Sequence, residues 1–83
     1  MKIQMKLYAM LGKYLPDNAV RNEVEIDVDA ETSVEGLLED HGVPLEHCHL
    51  VLVNGIYAAP GERKDKILSE GDAVAVWPPV AGG

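Results

Sequence analysis

The sequence predicts an α+β roll, a mixed sheet of about 4–5 strands with one main helix packed on one face. Three observations carry this. Two segments in the first third alternate apolar and polar residues with the period of a half-buried strand. One stretch, from Thr32 to Gly42, holds an apolar stripe at helical spacing between a capping signal and a glycine stop. Further apolar segments of strand length come after it, separated by turn residues. A single helix must then cover one sheet face, or the alternating apolar side chains stay wet.

Each element has its own local cause. In "KIQMKLYA" (2–9), Ile3, Met5 and Leu7 share one face while Lys2, Gln4 and Lys6 occupy the other. "MLGKYLPDNA" comes next, and Met10, Leu11, Tyr14 and Leu15 suit one short helical turn before Pro16 and the turn-prone Asp17-Asn18. In residues 23–29, Val24, Ile26 and Val28 point inward and Glu23, Glu25, Asp27 and Asp29 point out. Thr32 or Ser33 can cap the helix, and Thr32 with Glu35 matches a capping box. Val34, Leu37 and Leu38 form its apolar stripe, Gly36 weakens it, and Gly42 with Pro44 beyond stops it.

"HLVLVNGIYA" predicts a hairpin, since Asn54-Gly55 tolerates the positive φ angles of a tight two-residue turn. "APGERKDK" is a polar loop, Ile67 and Leu68 pack before a Gly71-Asp72 turn, and "AVAVW" is the last strand. The order strand, strand, helix, strand, short strand, strand suggests a β-grasp arrangement, with the first and last strands adjacent in the middle.

Composition narrows the function. Eighty-three residues make one small domain, which buries about 60–65% of the surface its unfolded chain exposes. One cysteine, Cys48, excludes an internal disulfide framework and suits a reducing setting. No basic-then-apolar leader is seen, and no apolar run approaches the ~20 residues of a membrane span. The expected compartment is the cytoplasm, with no membrane partner. A formal charge of −7 argues against nucleic acid and favours steering toward a basic protein surface.

The chemistry-bearing residues are few. "HCH" at 47–49, placed in a strand, sets His47 and His49 on one face and Cys48 on the other, so the three do not converge on a metal. Cys48 is expected as a small core residue. "GERKDK" lacks the glycines and succeeding helix of a phosphate loop. The alternating carboxylates of 23–29 form a solvated face rather than a pair across a cleft. The chain is therefore not expected to be an enzyme by itself.

The terminal "PPVAGG" remains. Pro78 and Pro79 end the last strand and project the residues beyond them away from the body. Six residues from Pro78 to Gly83 reach at most about 20 Å. Gly82 and Gly83 lack side chains, so this segment can thread a channel too narrow for any other residue. Its one reactive group is the α-carboxylate, which becomes an electrophile once adenylated.

With these pieces in place, "MKLYAMLGKYL" (5–15), "TSVEGLLE" (32–39), "LVLVNG" (50–55) and "LSEGDAVAVWPPVAGG" (68–83) carry a resemblance across nearly the whole chain. The sequence resembles the sulfur-carrier family of the molybdopterin synthase small subunit (MoaD) and the thiamin sulfur carrier (ThiS), which are ubiquitin-like β-grasp proteins. The "PPVAGG" tail leans toward MoaD. The resemblance implies a β-grasp domain over 1–77 and a flexible Gly-Gly tail over 78–83. It implies that Gly83 is adenylated by an adenylyltransferase of the ubiquitin-activating type and converted to a thiocarboxylate. Trp77, Pro78, Pro79, Val80, Ala81 and Gly82 would be the partner-binding tail. No cofactor is expected in the chain, and ATP is used by the activating partner. The sulfur acceptor would be a molybdopterin synthase large subunit or a thiazole synthase. Trp77 departs from the phenylalanine common before the prolines, which points to a differently shaped partner pocket. The alternative is a ubiquitin-like modifier joined to lysines through Gly83.

Overall fold

The N-terminal alternation becomes strand β1 (Lys2–Leu7), with Ile3, Met5 and Leu7 fully buried on its inner side. The computed structural model describes residues 1–80, so the expectations for Ala81, Gly82 and Gly83 lie outside the described residues. A 3-10 helix, Ala9–Tyr14, comes after β1 and buries Leu11. Strand β2 (Glu23–Asp27) returns antiparallel, setting Ile26 opposite Ile3 and Val24 opposite Met5. Both strands stop two residues short of their expected ends. On the outer side Glu23, Glu25 and Asp27 meet Lys2 and Lys6 in surface ion pairs of 3.6–3.9 Å. Such pairs contribute about 0–1 kcal/mol each, so the buried apolar side, not the charged one, fixes the register.

Helix α1 (Val34–Asp40) crosses the inner face and buries Val34, Leu37 and Leu38 completely. Burying each such side chain stabilises the fold by roughly 1.5–3 kcal/mol relative to leaving it exposed. The expected Thr32–Glu35 capping box does not form. Ser33 is the N-cap, and its Oγ accepts from the Gly36 N–H at 2.9 Å, while Thr32 Oγ1 donates to Asp29 O at 2.7 Å. The helix begins one residue later than a box on Thr32 requires, so glycine rather than glutamate stands at the third helical position. The remaining free amides bond backbone carbonyls: Val34 N–H to Lys66 O, Glu35 N–H to Arg63 O and Leu37 N–H to Ser33 O. At the other end Gly42 takes φ +74°. Its N–H donates to Glu39 O and the Val43 N–H to Leu38 O, the paired bonds of a Schellman stop.

Strand β3 (Leu50–Val53) and the short β4 (Ile56–Tyr57) form the expected hairpin, with φ +53° at Asn54 and +83° at Gly55. Asn54 does more than turn the chain. Its Nδ2 donates to Asp72 Oδ1 at 2.8 Å and its Oδ1 accepts from the Ala73 N–H at 2.9 Å. The hairpin is thereby tied to the entry of β5 (Ala73–Trp77). The sheet order is β2-β1-β5-β3-β4, with β1 and β5 parallel at its centre. Parallel neighbours need a long crossover, and the chain between them includes α1. This is the mixed five-stranded β-grasp sheet with one main helix.

Two details depart from expectation. Leu68 is buried but its neighbour Ile67 is 49% exposed. The segment is extended, with Ile67 bridging Ser33, and adjacent side chains therefore point to opposite sides. The polar loop after β4 also contains a 3-10 turn, Pro60–Glu62, and Arg63, which is only 6% exposed. The Arg63 Nε donates to Ala58 O at 2.9 Å and one terminal nitrogen donates to Cys48 O at 2.8 Å.

Candidate functional site at the root of the C-terminal segment

β5 is hydrogen-bonded on both sides, and its last paired residue is Trp77, opposite Leu50. The Tyr8 N–H donates to Val76 O at 3.1 Å and the His49 N–H to Trp77 O at 3.0 Å. Pro78 and Pro79 have no N–H, so the ladder stops. Side-chain packing runs one residue further than the ladder: Pro78 is buried, whereas Pro79 and Val80 are exposed.

Around this exit lies an open apolar groove of about 420 Å³, lined by Ala9, Met10, Trp77, Pro78, Pro79 and Val80. Met10 is 49% exposed and Val80 77%. The Tyr8 ring stacks on the Trp77 indole, with centroids 4.6 Å apart and planes 16° from parallel. Ala9 adjoins Tyr8 at φ +52°, a left-handed conformation that costs a non-glycine residue about 1–3 kcal/mol. None of the six lining residues carries a titratable side chain. The groove thus offers binding surface and no acid, base or nucleophile.

The outer face of the sheet divides in two beside this exit. Lys2, Gln4, Lys6 and the β2 acids make a charged half. Leu50, Leu52, Tyr57 and Ala75, related by the register across β3, β4 and β5, make an apolar half that ends at Trp77. Of the expected tail residues, Trp77, Pro78, Pro79 and Val80 gather at one place. Ala81, Gly82 and Gly83 lie outside the described residues. Tyr8, Ala9 and Met10 join the site without a sequence motif to announce them. A signal for them exists, because placing the first and last strands side by side brings their terminal aromatic residues, Tyr8 and Trp77, together on the outer face.

The "HCH" triplet is not in a strand. His47 ends a 3-10 helix, Leu45–His47, Cys48 caps it, and β3 begins only at Leu50. Pro44 before the triplet favours this turn over an extended run. Cys48 is 4% exposed, its thiol 3.5 Å from Pro44 O, and it belongs to the core. Among the described residues, no three His, Cys, Asp or Glu side chains gather as metal ligands. Nor is any described helix long and apolar enough to cross a membrane.

Burial pushes the Cys48 thiol above its ordinary value, and the nearby Arg63 charge only partly offsets this. The folded chain therefore holds the thiol proton to higher pH than the unfolded chain does. The corresponding stability is fully present below the ordinary thiol range and is lost as pH rises through the folded value. Cys48→Ser should lack this alkaline component when melting is followed from about pH 7 to above ~9. The variant should lose about 1 kcal/mol at neutral pH, and a buried, protonated thiol is a poor nucleophile. A pH profile of melting unchanged by Cys48→Ser would show that Cys48 does not carry the alkaline component.

A family model described as Mut7-C ubiquitin matches residues 1–82. The chain belongs to the Mut7-C ubiquitin family. A search of curated proteins finds no match. Among solved structures, this Mut7-C ubiquitin member is similar to SAMP1 of Haloferax volcanii, at 28% identity over 100% of both chains and a TM-score of 0.64. It is similar in fold to the putative molybdopterin converting factor, subunit 1, of Pyrococcus furiosus, at 24% identity over 95% of this chain and 98% of that one, TM-score 0.62. The protein–protein complex of subunits 1 and 2 of the molybdopterin-converting factor of Helicobacter pylori includes a chain of the same fold, at 19% identity over 100% of both chains, TM-score 0.59. The ubiquitin-like, MoaD-like fold expected from the sequence is the fold of this family and of these neighbours.

Proposed function

We propose that this Mut7-C ubiquitin protein is a cytoplasmic sulfur carrier whose Gly83 α-carboxylate is its working group. The observation that supports this reading most is the placement of Trp77, Pro78, Pro79 and Val80. The central strand of a ubiquitin-like sheet hands the chain to an apolar, non-titratable exit, beyond which the sequence reads Ala81-Gly82-Gly83. Such an exit suits a protein whose end is a substrate for other enzymes.

In this reading the carboxylate oxygen attacks the α-phosphorus of ATP on an adenylyltransferase of the ubiquitin-activating type. Pyrophosphate leaves and an acyl-adenylate forms. A sulfide-level nucleophile then attacks the carbonyl carbon and displaces AMP, leaving a thiocarboxylate. ATP belongs to the partner, and the chain serves as co-substrate or, at most, as the small subunit of a synthase complex. The acceptor best supported by the fold neighbours is the large subunit of a molybdopterin-type synthase, for molybdenum or tungsten cofactor synthesis. A thiazole synthase of the thiamin pathway comes next.

A second reading has its own support. The likeness to SAMP1, a small archaeal modifier protein, favours conjugation of Gly83 to lysines of other proteins. One assay separates the two. The purified chain is incubated with ATP and the adenylyltransferase, first with sulfide and then with a lysine-bearing acceptor. Carriage predicts a terminal thiocarboxylate, and modification predicts an isopeptide bond. Absence of ATP–pyrophosphate exchange with every activating enzyme of the host would overturn both.

The −7 charge bears on the encounter with that enzyme. Exposed charges are screened beyond ~8–10 Å at ordinary ionic strength. Association measured by stopped flow should therefore slow severalfold between low and physiological salt. A salt-independent rate would assign the encounter to the apolar half of the sheet instead.

A further inference from the structure

We infer that Tyr8 is a positioning residue for the carrier end: its ring, stacked on Trp77, sets the course on which Pro78, Pro79 and Val80 leave the sheet. The consequence of this for sulfur chemistry rests on the carrier reading, whereas the geometry does not.

The ladder holds the backbone of β5 only as far as Trp77, where the His49 N–H meets the Trp77 carbonyl. Past that point no ladder bond steers the chain, because neither proline has a donor. What remains is packing. Trp77, Pro78, Pro79 and Val80 share one groove with Ala9 and Met10, so the indole is a wall against which the departing segment lies. An outward-facing indole on the last paired residue has rotamer freedom unless something holds it. The Tyr8 ring, 4.6 Å away and nearly parallel, is what holds it. Offset stacking of this kind favours one rotamer roughly threefold to tenfold beyond what area burial contributes.

The backbone beside Tyr8 points the same way. Ala9 turns at φ +52°, and Met10 after it lines the same groove as Trp77, Pro78, Pro79 and Val80. Arg21 and Glu31 also take positive φ, in turns away from the groove, so the bend at Ala9 matters here for where it sets Met10 rather than for its strain. Tyr8, Ala9 and Met10 thus form one device: a ring that fixes the indole, a bend, and a flexible apolar side chain in the groove that the departing segment shares. A reacting carboxylate downstream must arrive in register, and a misplacement of about 1 Å can cost about a hundredfold in rate.

Two variants test this, with a second pair in reserve. Tyr8→Leu keeps apolar bulk but cannot stack, and Tyr8→Phe keeps the stack. Should Tyr8→Leu fail to fold in a melting curve, Trp77→Leu against Trp77→Phe makes the same comparison from the other ring. The first readout is the backbone order parameter of the Val80 amide, with Val76 as internal reference. Wild type and Tyr8→Phe should hold Val80 above ~0.6, and Tyr8→Leu should drop it below that value with Val76 unchanged. The second is acrylamide quenching of Trp77, the chain's one tryptophan, which should rise in Tyr8→Leu. The third is adenylation kinetics, where Tyr8→Leu should lower kcat about tenfold with KM little changed, since it misdirects rather than weakens docking. Equal Val80 order in wild type and Tyr8→Leu, or a Tyr8→Phe variant as loose as Tyr8→Leu, overturns the inference. If wild type accepts no sulfur, the carrier reading fails, while the order comparison still decides what Tyr8 does.

Discussion

Deleting Gly83 should abolish sulfur loading and leave the fold intact. Among the described residues the ladder ends at Trp77 and the last buried side chain is Pro78, five positions before the deletion. Stability should change by less than about 0.5 kcal/mol, as for surface changes generally. The shortened chain still ends in a glycine carboxylate, at Gly82, but that group falls about 3.3–3.6 Å short of the reacting centre. Positional errors of that size remove the proximity advantage almost entirely. Gly83→Val should fail for another reason, because on the carrier reading its branched side chain would clash in the narrow channel of the partner. Both variants should match wild type in melting and accept no sulfur in an ATP-dependent assay read by intact mass. A deletion variant that loads as well as wild type shows that Gly83 is not the working residue.

Arg63→Met should produce the opposite pattern, a large loss of stability with the tail chemistry untouched in whatever fraction stays folded. Arg63 is a buried cation that binds carbonyls: Ala58 O and Cys48 O at 2.8–2.9 Å, with a longer 3.5 Å approach to His49 O. Among the described residues no ion pair involves it. Its guanidinium therefore joins the turn before β3 to the end of the hairpin, and its own carbonyl accepts from the second amide of α1. Methionine refills most of the volume but leaves the buried carbonyls without donors. Each orphaned group costs about 1–3 kcal/mol, so the variant should lose roughly 2–4 kcal/mol. A domain of this size has about 4–12 kcal/mol in all. The midpoint should fall by about 10–25 °C in a calorimetric scan. Arg63→Lys should recover little, because one ammonium cannot reproduce a planar fork. A shift of only a degree or two would make Arg63 an ordinary loop residue.

Arg63 also marks the limit of what the sequence discloses. In "APGERKDK" every charged residue looks alike, and nothing local says that one of them turns inward to serve carbonyls brought in from position 48. Its role comes from contacts distant in sequence, and alternation and capping signals carry no information about those. The elements themselves are legible because their causes are local. The period-2 runs mark β1 and β2, Asn54-Gly55 marks the hairpin, and Gly42 marks the helix stop. The cap lies one residue beyond the expected Thr32, and of the pair Ile67-Leu68 only Leu68 packs, since adjacent residues of an extended segment face opposite sides.

The site is half legible. Pro78 and Pro79 announce the end of a ladder from their missing donors alone, and Trp77 before them stands out by composition. The rest of the groove lining comes from Ala9 and Met10, with Tyr8 stacked on Trp77 beside it, roughly 70 residues earlier in the chain, a separation that topology alone closes. "HCH" suits an extended run as well as a turn, because three residues in isolation have no period. Pro44 and the 3-10 turn it starts decide their geometry.

Intact mass spectrometry of the chain isolated from its native host tests directly whether the Gly83 carboxylate carries sulfur. Cells are harvested during active cofactor synthesis into an alkylating agent, which traps any thiocarboxylate before it hydrolyses. Sulfur carriage predicts a fraction of the chain in which sulfur replaces one carboxylate oxygen, with fragmentation placing the change at Gly83 and with the signal absent when Gly83 is deleted. A terminal carboxylate that remains wholly unmodified under those conditions contradicts it, as does sulfur found at Cys48 instead.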